Sequence, residues 1–368
     1  MRRRRLVLVA VACLGAGCKD RDPLAPPPDE AAPRNATAET PADLRGAGST
    51  FVFPILSRWV SEYHRNTGTR VAYVASGSSD GIKQISARAV DFGASDVAMS
   101  DEELSRAPSP IVHVPITLGA VVVTYSRDGL PARLKLTRDA IAGIFLGDIT
   151  TWNDPRIAAT NSDVRLPAMD IAVFFRSDGS GTTGVFTKYL SNGNKRWKER
   201  VGDGKSVKFP VGAGAKGNEG VARQLARTPG SVGYVELTYA KQADLALGYA
   251  YVESPAGKMV EPSLETIDAA AAGLARRIPD DMRISLVDAP GDDAYPISSL
   301  TFALVYQTAA DELKGRTLAR FLWWVVHDGQ KLGGPLHYAP LPREVVTRVE
   351  EKLRTLTVPS GAVALRLN

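Results

Sequence analysis

The sequence predicts an α/β protein in which helices pack on largely parallel sheet. From Gly46 onward, short β-like runs alternate with segments of helical period. Three of the junctions are small-residue turns rich in Gly, Ser and Thr. The chain also has the bulk for it: 368 residues, 44% hydrophobic and 23% charged, suffice for one large or two medium domains with their own cores.

Residues 1–17 read as an export signal, with Arg2 to Arg5, then an apolar stretch over 6–12, then small residues. The stretch is shorter than the roughly 20 apolar residues that span a membrane. Leu14-Gly15-Ala16-Gly17-Cys18 resembles the lipobox of bacterial lipoproteins, with Gly15 where that pattern prefers a larger aliphatic. By that resemblance Cys18 carries the lipid and becomes the new N-terminus; Cys13 follows too short an apolar core to compete. Residues 18–44, with Pro23, Pro26, Pro27, Pro28, Pro33 and Pro41, read as a semi-extended tether of about 3 Å per residue. The expected location is therefore the periplasmic face of the cell envelope, with the protein anchored through lipid at Cys18. Both cysteines fall in this segment, so the exported body has no disulfide and rests on its core.

The formal charge of +5 is mostly a property of the leader. Without residues 1–17, 41 basic residues face 40 acidic ones. No basic stripe remains to follow a phosphodiester backbone, and a nucleic-acid partner is not expected.

The body begins with the turn at 46–51, Gly-Ala-Gly-Ser-Thr-Phe, which feeds a helix over 54–63 whose Ile55, Leu56, Trp59, Val60 and Tyr63 share one face. Buried strands are expected at 70–74, 111–114, 120–125 and 170–175. The second turn, 76–81, precedes Ile82 and Ile85 at helical spacing, and the third, 176–182, precedes Val185, Phe186 and Tyr189. Each places unpaired backbone N–H groups and hydroxyls at a helix N-terminus, where partial positive charge favours an anion. Ser and Thr are also ordinary N-caps, so one such turn alone decides little.

Catalytic patterns fit poorly. The required first glycine of a phosphate-loop motif ending at Gly204-Lys205-Ser206 falls on Glu199. Gly46-Ala47-Gly48 lacks the third glycine of a dinucleotide fingerprint, and Ser180 is not in a Gly-x-Ser-x-Gly elbow. His64, His113, His327 and His337 form no metal spacing, and Ser180 has no evident base. Neither enzyme activity nor a cofactor is expected.

The three turns, with 91–96 (Asp-Phe-Gly-Ala-Ser-Asp), Ile144 to Asp148, Trp152-Asn153-Asp154, Gly217-Asn218-Glu219-Gly220, 230–235, Tyr295-Pro296-Ile297 and Leu341-Pro342, resemble in order the phosphate-binding proteins of bacterial phosphate ABC transporters. The resemblance spans about residues 45–355. It implies the type II two-lobed periplasmic-binding-protein fold, with the ligand in a cleft between two α/β domains joined by two crossing strands. Lobe I would comprise 44–118 and 298–368, and lobe II 119–297.

It further implies a phosphate site. Thr50 would offer a hydroxyl and Phe51 a backbone N–H; Ser78, Ser180, Gly181 and Thr182 would donate from the other two turns. Arg176 would give a forked pair of bonds, with Asp178 holding its guanidinium. Asp96 would accept the proton that phosphate carries and sulfate lacks, and so reject sulfate. Asp80, Val52 and Phe175 depart from the family's usual Gly, Pro and basic residue; Asp80 reads alternatively as a helix N-cap. The implied function is capture of inorganic phosphate for an ABC permease and its ATPase, by a monomer. The alternatives are another protonated oxyanion such as arsenate, a phosphate sensor, or a phosphatase using the same pocket.

Overall fold

In the computed structural model, residues 42–272 and 277–366 are described. The signal segment, Cys18 and nearly all of the tether lie outside them. Among the described residues, eleven strands occur in chain order: β1 (Leu44–Gly48), β2 (Val71–Ala75), β3 (Phe92–Ser95), β4 (Ile111–Ser126), β5 (Arg133–Leu136), β6 (Ala172–Arg176), β7 (Ala213–Ala215), β8 (Ser231–Glu236), β9 (Leu247–Glu253), β10 (Met259–Val260) and β11 (Ser298–Tyr306). Their spatial order is β2-β1-β3-β11-β4-β8-β6-β7, with β9 joining β4 to β5 and β10.

The runs expected at 111–114 and 120–125 are one continuous strand, β4. Up to Ala120 it pairs with β11; from Val121 it pairs with β8, and from Thr124 also with β9. A single buried strand thus serves two groups of strands. Pro115 does not divide it: the pairing with β11 steps from Pro115 to Thr117 opposite the consecutive Phe302 and Thr301, so Ile116 of β4 is a bulged extra residue beside the proline.

The expectation of largely parallel sheet is corrected. β1–β2, β1–β3, β5–β9, β6–β7 and β6–β8 are parallel. Every pairing of β4 and β11 is antiparallel. The chain runs outward along β4 and returns along β11, so the two central strands must oppose each other.

On the β1 side, the helix Phe53–Thr67 has Pro54 in its first turn and left-handed Gly68 (φ 74°) at its end. It buries Ile55, Leu56, Trp59 and Tyr63, and burial of side chains this large is worth about 1.5–3 kcal/mol each. Tyr63 packs edge-on to Phe321, and Trp59 donates to the Gly329 carbonyl at 2.7 Å. On the β8 side, Phe186 stacks on Tyr234 with ring centres 4.3 Å apart, and Phe145 meets both. These cores fix the strand ends from which the small-residue turns emerge.

Candidate functional site

The first turn leaves β1 at Gly48, whose φ of 137° and approach to the Ala94 carbonyl (2.2 Å from a would-be Cβ) exclude a side chain. It runs through Ser49, Thr50 and Phe51 into the helix Phe53–Thr67, with Val52 fully buried at the N-cap. The second turn enters the helix Ser78–Ser86 through Gly77. The N-cap there is Gly77, which corrects the reading of Asp80 as a cap: Asp80 lies inside the first helical turn, where an acid suits the dipole, and accepts from Gln84. The third turn leaves β6 at Arg176 and enters the helix Gly181–Gly193, with Ser180 as N-cap accepting from the Thr183 amide at 3.1 Å. Phe175, just before it, stacks on Phe209 at 4.5 Å.

The fold brings these turns into contact. The Ser79 amide donates to the Gly179 carbonyl at 3.0 Å. A Cβ on Gly181 would lie 2.5 Å from Ser78 Oγ and 2.6 Å from Asp96 Oδ2, so only glycine lets the third turn approach the second. Thr50, Phe51, Ser78, Asp96, Arg176, Ser180, Gly181 and Thr182 are all buried, with Asp178 at their edge.

Arg176 donates from Nε to Asp178 Oδ1 at 2.8 Å, from Nη2 to Asp178 Oδ2 at 2.5 Å, and from Nη1 to Thr182 Oγ1 at 3.2 Å. Burial alone would raise the Asp178 carboxyl, but the guanidinium outweighs it and holds that pKa below the usual carboxylate value. Asp96 follows β3 and accepts hydroxyl hydrogens from Ser49 (2.7 Å), Thr301 (2.8 Å) and Ser78 (3.3 Å). Burial pushes its pKa up to about 6, against the opposing pull of those hydroxyls and of the Arg176 charge. The Phe51 amide donates to Ser49 Oγ at 2.9 Å.

Several residues of the site were not singled out from sequence. Ser49 and Thr301 hold Asp96. Asn218 opens the helix Gly217–Arg227 and reaches both Thr50 and Thr182. It lay within a quoted motif, and its position at a glycine-led helix start was the available signal; Thr301, one position on a buried strand, offered none. Three tyrosines hold the carbonyls of the first turn in succession: Tyr73 donates to Ser49 O (2.8 Å), Tyr239 to Thr50 O (2.8 Å) and Tyr338 to Phe51 O (2.6 Å). Burial raises the pKa of each phenol, so all three remain donors across the physiological range.

Glu236, fully buried at the end of β8, accepts from Thr238 at 3.1 Å and lies 3.2 Å from the Tyr338 hydroxyl. Burial raises its pKa from 4.5 to about 8, with the nearby Asp96 charge adding to the rise. An acid raised on folding favours the folded state fully below its unfolded pKa, and that contribution is lost as pH rises towards the folded value. Glu236→Gln is therefore expected to gain stability relative to wild type, by up to about 5 kcal/mol, as pH rises from 4.5 to about 8. Urea unfolding at both ends of that window measures it; a difference independent of pH would show that Glu236 is ionised in the folded protein.

Among the described residues, no group of three His, Cys, Asp or Glu is placed to hold a metal ion, and no helix is long and apolar enough to cross a membrane. His113 accepts the Met99 amide at 3.0 Å, and burial lowers its pKa to about 4.

Two packed groups of α/β structure, sharing a strand and meeting at a buried cluster of donors around one acid, define a substrate-binding protein of the two-lobed periplasmic type. A family model described as a PBP superfamily domain matches residues 35–328. The phosphate-binding protein PstS of Xylella fastidiosa (strain Temecula1) is 38% identical over 319 residues, covering 86% of each chain. That of Pasteurella multocida is 40% identical over 313 residues, 85% of this chain and 90% of the relative. The fold is shared with a high-affinity periplasmic phosphate-binding protein solved with phosphate bound, at a TM-score of 0.69, 21% identity, and coverage of 89% of this chain and 99% of that one. The chain belongs to the PstS family of phosphate-binding proteins.

Proposed function

We propose that the protein binds inorganic phosphate in this cleft and delivers it to an ABC permease for import, without making or breaking a bond. The observation that carries the reading is the pairing of donors with a single acid at one buried point. Arg176 has five N–H donors, and its partners in the protein use three, leaving two for an anion. The amides of Gly181 and Thr182 open a helix and have no carbonyl a turn back to bond. The hydroxyls of Thr50, Ser180 and Thr182 extend a shell suited to tetrahedral oxygens; the Phe51 amide and the Ser78 hydroxyl, which here donate to Ser49 Oγ and Asp96, would join it by turning to the anion. Asp96 is the acceptor that a P–OH satisfies and a fully ionised sulfate does not. Asp178 holds the guanidinium from the other side.

The division into lobe I (44–118 and 298–368) and lobe II (119–297) is supported by the switch of β4 from β11 to β8 after Ala120. Closure of the lobes would bury the anion and mark the loaded form for the permease and its ATPase. The named relatives support the phosphate assignment; a phosphate-binding role in the cell envelope agrees with the leader. Lipid at Cys18 would keep a monomer at the periplasmic face of the membrane, and loss of labelled fatty acid in Cys18→Ala checks that step. The near-neutral charge of the body supports the expectation that nucleic acid is not a partner.

The test is isothermal titration of protein dialysed free of anion, first with phosphate and then with sulfate. One-to-one binding of phosphate with no sulfate heat is expected. Absence of phosphate binding overturns the reading.

A further inference from the structure

Gly204-Lys205-Ser206, which fails as the end of a phosphate loop, has another place in the structure. The Lys205 carbonyl accepts the amide of Ser180 at 2.8 Å, and the Gly204 amide donates to Thr187 Oγ1 at 3.1 Å. The backbone here is thereby fastened to the third turn and to the helix Gly181–Gly193. The Lys205 side chain reaches in another direction. Its Nζ donates to Glu103 Oε1 at 2.6 Å and to Glu103 Oε2 at 2.7 Å.

Glu103 lies in the short helix Asp101–Ser105, which follows Asp96 on the other side of the cleft. Its carboxylate is set in place by that helix. The Ser100 amide donates to Glu103 Oε2 at 2.9 Å while Ser100 Oγ accepts the Glu103 amide at 3.1 Å, a capping box. A side chain already held in one rotamer loses little further freedom on pairing. The Lys205 and Glu103 side chains are 17% and 24% exposed, so the pair is sheltered from the screening that leaves surface ion pairs contributing little. The neighbouring Arg283–Asp101 pair, with Asp101 89% exposed, has no such shelter.

We propose that Lys205 and Glu103 are positioning residues that hold the two lobes together over bound phosphate and so set how slowly the anion leaves. The proposal rests on the phosphate reading and the lobe division above, with Glu103 in lobe I and Lys205 in lobe II. In the closed arrangement the ammonium and the carboxylate meet; when the lobes part, each returns to water. A contact made in one of two states shifts the balance between them, and this one favours closure. The Lys205 carbonyl on the Ser180 amide carries that grip directly to the third turn.

The experiment loads the protein with radiolabelled phosphate and follows release on addition of excess unlabelled phosphate. Lys205→Met and Glu103→Gln are each expected to raise the release rate about tenfold, the scale of one hydrogen-bonded charged contact, with a much smaller change in association. Gln keeps the capping box, because its carbonyl oxygen still accepts the Ser100 amide. The double variant is expected to release phosphate no faster than either single one, since one contact can be lost only once. Lys205→Arg, which keeps the cation, should restore most of the slow release.

The sign separates this role from attraction of the anion by the charge of Lys205. Attraction would make Lys205→Met weaken binding and Glu103→Gln strengthen it. Effects of opposite sign overturn the proposal, as do unchanged release rates or single effects that multiply in the double variant. A pair needed for the fold itself would lower the thermal unfolding midpoint equally with and without phosphate, and that result also overturns it; the loss is expected in the phosphate-bound protein. If wild type retains no labelled phosphate, the functional reading fails instead.

Discussion

Arg176→Ala is expected to reduce phosphate affinity by roughly a thousandfold, close to the loss of specific binding. Two losses compound. The anion forfeits a charge-assisted forked contact, and breaking such a buried pair costs about 2–5 kcal/mol. The second loss concerns Asp178, whose carboxyl is held ionised by this guanidinium and a backbone amide. With the guanidinium gone, a partly buried carboxylate faces the incoming anion without its counter-charge. Arg176→Lys restores charge but not the planar fork, so it should recover only part of the affinity. Equilibrium dialysis measures the series, and wild-type binding by Arg176→Ala would remove the site from this part of the molecule.

Asp96→Asn is expected to reduce discrimination between phosphate and sulfate by about two orders of magnitude. A site built to pair a ligand O–H rejects an analogue lacking it by about four orders, because a buried acceptor is left unpaired. Asparagine presents N–H groups as well as a carbonyl, so a sulfate oxygen gains a donor where it met a charge. Wild type should show the same change on acidification. The Asp96 pKa is raised to about 6, so below that value the carboxyl carries its own proton and can donate to sulfate. Competition calorimetry on both proteins decides this: an identical phosphate-to-sulfate ratio in wild type and variant would show that Asp96 does not read the ligand's proton.

What could be read in the sequence was local. The helix face of Ile55, Leu56, Trp59 and Tyr63 repeats at helical spacing, and burial of those four follows from it. Strands β2 and β6 lie within two residues of the stretches at 70–74 and 170–175. The three turns announce themselves through glycines and hydroxyls next to apolar runs. Long-range pairing was another matter. No local pattern tells that 111–114 and 120–125 are one strand, because its unity depends on pairing with β11, nearly two hundred residues away in the chain, which continues past the bulge at Ile116. Thr301 reaches Asp96 from that same distant strand. Nor does sequence reveal the direction of a hydrogen bond: the Asn218 side-chain oxygen faces the Glu236 N–H, which turns its NH2 towards Thr50 and Thr182. Asp80 was misassigned by one turn because the backbone at Gly77 (φ 102°) starts the helix earlier than a capping acid would.

The tyrosines behind the first turn carry a consequence for transplanting this site. In a trans peptide the C=O and N–H point in opposite directions, so a hydroxyl that fixes one carbonyl also aims the amide of the next residue. Tyr73, Tyr239 and Tyr338 do this for Ser49, Thr50 and Phe51 from three separate stretches of chain. The shape of the heptad 46–52 is therefore written elsewhere in the molecule. Grafted alone into a foreign scaffold, it would bring the right letters and relax into another loop; a working transplant would need the three phenols as well.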